Sequence, residues 1–61
     1  MKLSNLSILV IEDVKPMLDL ISGVLDSLGV GDIHTASSAE RGLDLTKKYD
    51  PDIILLDWEM P

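Results

Sequence analysis

The apolar positions of the chain change their period four times, and each change marks a new element. Residues 7–11, Ser-Ile-Leu-Val-Ile, form a continuous run rich in β-branched types, the pattern of a strand covered on both faces. Over 15–28, Leu18, Ile21, Leu25 and Leu28 recur at helical spacing, with Met17, Val24, Asp19 and Asp26 on other faces. Pro16 suits the first turn of that helix, where its missing N–H costs nothing, and Gly29 suits its end. The Ile and Thr content of 32–36 predicts a second strand. Ser37, followed three residues later by Glu40, has capping-box spacing and predicts a helix over 38–48. Ala39, Gly42 and Leu43 can face inward from it, while Lys47 and Lys48 sit near the negative end of its dipole. Asp50-Pro51 breaks the helix, and "DIILLD", 52–57, gives a third strand, again apolar on both faces.

The order β-α-β-α-β predicts an α/β fold of parallel strands joined by right-handed crossovers, with all the strand C-termini on one edge. Glu12 and Asp13 follow the first strand and Asp57 ends the third, so all three acids belong to that edge, where open α/β sheets bind ligands. If strands one and three are neighbours, their axes lie about 4.8 Å apart and the carboxylates converge. Like charges this close disfavour one another's ionised forms unless a cation sits among them. Oxygen-only ligands favour a hard ion such as Mg²⁺, which takes one or two carboxylates, retains waters and shares its remaining sites with a phosphoryl group.

Composition narrows the remaining classes. Sixty-one residues build one small core, and without cysteine neither disulfides nor thiolate metal sites reinforce it. A formal net charge of −6 repels nucleic acid and anionic membrane, and Tyr49 and Trp58 are the only aromatics to stack on bases. The first apolar run meets Glu12 after four residues, too soon for a signal peptide, and no stretch approaches the roughly 20 apolar residues of a membrane helix. The expectation is a soluble, cytoplasmic protein that partners neither nucleic acid nor membrane.

The segments "ILVIEDVKPML", "SSAERGL" and above all "DIILLDWEMP" resemble the receiver domain of two-component response regulators, over essentially the whole chain. The resemblance implies half of a flavodoxin-like, doubly wound sheet with strand order 2-1-3. It implies that Glu12 and Asp13 are the acid pair that binds Mg²⁺, and that Asp57 accepts a phosphoryl group from a histidine kinase or phosphotransfer protein. Glu59 matches the position whose backbone carbonyl also reaches the metal, and Met60-Pro61 match the tail after the phosphorylated aspartate. Receivers continue into two more β-α units, which supply a strand-four Ser or Thr and a strand-five Lys to the phosphoryl group. Neither has a counterpart here, so the chain reads as a truncated, N-terminal receiver half with impaired phosphorylation. Lys15 takes no such role. An open third strand carrying "IILL" is a template for pairing, and a homo-oligomer through that strand is expected.

Duller readings stand beside these. Paired acids after a strand are equally a solvated helix start. No G-x-x-x-x-G-K-[ST] precedes "IILLD", which sets aside a P-loop ATPase, and "GVGDIH" lacks the third glycine of a dinucleotide site. His34, with no Cys or second His, reads as a strand residue. The alternative from another class is a non-catalytic, self-associating half-fold. A metal-assisted hydrolase ranks below both because no base or electrophilic partner is visible, and the chain reads as no enzyme.

Overall fold

Four consecutive buried residues, Ile8, Leu9, Val10 and Ile11, make the first strand the centre of the molecule. The computed structural model describes residues 2–56. It runs through a 3-10 turn (Leu3–Asn5), β1 (Ser7–Ile11), α1 (Lys15–Leu28), β2 (Asp32–Ala36), α2 (Ala39–Tyr49) and β3 (Ile53–Leu56). Both neighbours of β1 are parallel to it, as the pattern predicts, and the sheet order is β2-β1-β3, as the resemblance implies. Residues 57–61, including Asp57 and Glu59, lie outside the described residues.

The pleat divides the core in two. Ile8 and Val10 point to one face, where they meet Leu18 and Val30, with Leu6, Ile21, Leu25 and Ile33 packed around them. Leu9 and Ile11 point to the other, against Ala36 and Leu45 of α2. Helix α1 begins with Pro16 in its first turn and ends at Gly29, whose φ of 93° lets its N–H reach the carbonyl of Asp26. Helix α2 starts one residue later than the Ser37 spacing predicts. Ser38 is the cap, its Oγ accepting from the Arg41 N–H at 3.1 Å, so Glu40 falls in the first turn instead of closing a capping box. The inward face of α2 shifts accordingly: Gly42 and Leu45 are buried, while Ala39 and Leu43 are exposed. At its far end Tyr49 stacks on His34 of β2, ring centroids 4.0 Å apart and 16° from parallel, which accounts for His34 as a packing residue.

Two ties hold the ends of the sheet. The Ser7 N–H donates to Asp52 Oδ2 at 2.9 Å and the Asp52 N–H returns to the Ser7 carbonyl at 2.8 Å, so Asp52 anchors the entry to β3. The N-terminal turn is strapped to the entry of β2, with the Gly31 N–H donating to the Leu3 carbonyl at 3.1 Å. A Cβ at Gly31 would stand 2.0 Å from the Ser4 carbonyl oxygen, and this neighbour is backbone that cannot rotate away. Gly31→Ala therefore displaces the strap and should lower stability by roughly 1–3 kcal/mol. A urea titration followed by circular dichroism that gives an unchanged midpoint would contradict this close approach.

Although β3 is apolar on both faces, it is not covered, in keeping with the open third strand expected from the sequence. All four of its residues are 38–58% exposed, because both helices pack over β1 and β2. Leu28 of α1 is likewise exposed although it continues the helical stripe of Leu18, Ile21 and Leu25.

Candidate functional site

The C-terminal ends of β1 and β3 reach the same rim of the sheet. Their register pairs Ile8 with Ile53 and ends with Ile11 opposite Leu56, so the next residue along β1 is Glu12. Parallel pairing makes this rim the carboxyl edge of all three strands.

Adjacent in sequence, Glu12 and Asp13 have opposite environments. Glu12 is 4% exposed and is the one buried charged side chain among the described residues. Burying a carboxylate is costly unless its oxygens are hydrogen-bonded or paired. Glu12 Oε1 accepts from the Val14 N–H at 3.0 Å, and the Glu12 N–H donates to the Ala36 carbonyl at 3.0 Å, extending the β1–β2 ladder by one bond. Val14 stands at the N-cap of α1 and offers no side-chain cap, so the Glu12 carboxylate satisfies backbone at the helix entrance. The solvated helix start of the duller reading does not describe Glu12, which serves the start of α1 from a buried position. Asp13 points to solvent. Lys15 does not turn toward the acids; its Nζ donates to Asp19 Oδ1 at 2.6 Å across one exposed helical turn.

The donors fit a hard divalent cation. Both are carboxylates, one held in place by the strand and the backbone N–H that faces it, the other open to the water from which an ion would come. Among the described residues no group of three or more ligand-type side chains gathers. Asp57, the third acid of the sequence reading, follows Leu56 in the chain and lies outside those residues, as does Glu59.

Comparison with known proteins bears on the same segments. The family model for the response regulator receiver domain matches residues 8–61, a span that contains all four candidate site positions. The nitrate/nitrite response regulator protein NarL of Escherichia coli is 45% identical over 60 residues, covering 90% of this chain and 26% of that protein. The chemotaxis protein CheY-3 of Vibrio cholerae is 32% identical over 57 residues, covering 93% of this chain and 44% of the relative. A protein-glutamate methylesterase/protein-glutamine glutaminase of Natronomonas pharaonis is 31% identical over 58 residues, 95% of this chain and 16% of the relative. The chain thus spans less than half the length of these curated relatives. No solved structure was found to match it.

Proposed function

We propose, from the premise that this chain belongs to the response regulator receiver domain family, that Asp57 is its phosphoacceptor and that Glu12 and Asp13 hold the Mg²⁺ on which acceptance depends. Membership makes the chain a signalling module of two-component systems. Its relatives include transcriptional and response regulators, a chemotaxis protein and several proteins that carry a methylesterase name.

The observation that carries the reading is the buried, backbone-anchored Glu12 beside an exposed Asp13, at the rim where β1 and β3 end together. Asp57 is one residue beyond Leu56, the last partner of Ile11. A carboxylate oxygen of Asp57 attacks the phosphorus of the donor, the bond from phosphorus to the donor's leaving group breaks, and an acyl phosphate remains on Asp57. Glu12 and Asp13 would hold Mg²⁺, which would supply positive charge where the transferred group gathers negative charge. By the resemblance, Glu59 would add its backbone carbonyl to the same ion. The donor is a histidine kinase or phosphotransfer protein, and phosphorylation biases a conformational equilibrium that a partner reads. A cytoplasmic setting goes with this role; no described helix is long and apolar enough to cross a membrane.

The test is a Mg²⁺ titration read by the fluorescence of Trp58, the single tryptophan, which adjoins Asp57. The expected result is a saturable change at millimolar-range metal, weakened about tenfold or more in Glu12→Gln or Asp13→Asn, since each removes a charged ligand. A folded sample with no response, or one that both variants leave unchanged, counts against the metal site.

A further inference from the structure

We infer, resting on the reading of Asp57 as acceptor, that Asp52 is a positioning residue for phosphoryl acceptance: its two-bond clasp on Ser7 sets the register of β3 on β1 and with it the place of Asp57 along the carboxyl rim. The need for a clasp comes from the residues that pair. Strand β1 contributes Ile8, Leu9, Val10 and Ile11, and β3 contributes Ile53, Ile54, Leu55 and Leu56, four aliphatic side chains against four. Register is ordinarily specified by an alternating pattern that sends one set of side chains to the apolar face and the other to water. Neither run alternates. Sliding one along the other by a residue still sets aliphatic against aliphatic over most of the pair, so hydrophobicity alone does not choose.

Pro51 and Asp52 do choose. The Asp52 N–H donates to the Ser7 carbonyl at 2.8 Å and Asp52 Oδ2 accepts from the Ser7 N–H at 2.9 Å, so one residue holds both backbone groups of Ser7 just ahead of the first aligned pair, Ile8 and Ile53. The carboxylate bond is charge-assisted, which strengthens it. A shift that brought Pro51 into this place would offer no N–H to the Ser7 carbonyl. A shift the other way brings Ile53 there, whose side chain has nothing to accept the Ser7 N–H. The proline closes one direction and the carboxylate the other. These contacts lie wholly within residues 7–56.

The site depends on the register because Glu12 is reached along β1 and Asp57 along β3. Ile11 is aligned with Leu56, so an acid follows immediately on each strand beyond the last pair. One residue of slip moves β3 by about 3.3 Å and turns every side chain on it to the opposite face. A misplacement of about 1 Å at a reacting atom already costs on the order of a hundredfold in rate.

Asp52→Ala and Asp52→Asn test the clasp in the 61-residue chain. All samples are compared in trimethylamine N-oxide, which favours the folded state, so that loss of fold does not stand in for loss of register. Cross-strand NOEs, recorded without metal or donor, read the register directly. The unaltered chain should show Ile8 with Ile53 and Val10 with Leu55, and Asp52→Ala should add a set with Ile8 against Ile54, the slip that Pro51 does not block. With acetyl phosphate and Mg²⁺, the initial rate of acyl-phosphate formation in Asp52→Ala should fall at least roughly tenfold. Asp52→Asn keeps an oxygen that accepts the Ser7 N–H and should restore both the pairing and most of the rate. Unchanged NOEs in Asp52→Ala would hand the register to the short connection from α2 and overturn the inference. A displaced register with an unaltered rate, or an Asp52→Asn that restores neither, would overturn it too. An unaltered chain that takes up no phosphoryl group would instead sink the Asp57 reading, and the NOEs would still decide whether Asp52 sets the register.

Discussion

Asp57→Asn should abolish phosphoryl acceptance, with incorporation from a small acyl-phosphate donor falling by at least roughly three orders of magnitude, to background. The amide keeps the size and planarity of the side chain but carries no charge and is a poor nucleophile, so the change removes the reacting atom and little else. Intact-mass spectrometry after incubation with donor and Mg²⁺ reads the outcome directly. The adduct on the unaltered chain should be labile to base and hydroxylamine, as an acyl phosphate is and a phosphoserine is not. Long incubation and saturating donor are the relevant conditions. Equal labelling of Asp57→Asn and the unaltered chain would move the acceptor elsewhere, whereas retained labelling in Glu12→Gln or Asp13→Asn would separate acceptance from the acid pair.

Leu9→Ala should remove a large part of the chain's folding stability. Leu9 is 0% exposed on the central strand, where it meets Ala36 and Leu45, and the smaller side chain leaves a void that neighbouring elements cannot close. Such truncations cost about 2–5 kcal/mol, against a total stability of roughly 3–9 kcal/mol for a chain of this length. Leu43→Ala is the matched control: the same atoms are removed from a side chain 56% exposed, with an expected effect within about 0.5 kcal/mol. Both can be read from urea titrations at one protein concentration, held fixed because association adds to apparent stability. A Leu9→Ala midpoint displaced no further than that of Leu43→Ala would mean that the β1–α2 layer is not the core.

The two acids after β1 illustrate how far a sequence reaches. Their place at a strand exit follows from the apolar run before them and the proline after them, both local signals. Nothing in "ED" says that the first acid is buried and bonded to the Val14 N–H while the second faces water. That difference comes from the pleat, which alternates side-chain direction, and from the helix entrance standing next to the strand end. The capping residue of α2 is a smaller case. Ser37 and Ser38 are chemically alike, and only the backbone path from β2 decides which of them meets an amide.

By itself the amino-acid order determined the succession of elements, the parallel sheet, the acids at its carboxyl rim and the family, because periodicity, caps and motifs reside in contiguous residues. Tertiary structure alone decided which apolar positions are covered. Leu9 and Ile54 are register partners with the same aliphatic character, yet one is sealed between helix and sheet and the other stands 46% exposed. Coverage depends on how many elements reach a given strand, and here two helices suffice for β1 and β2 and leave β3 bare.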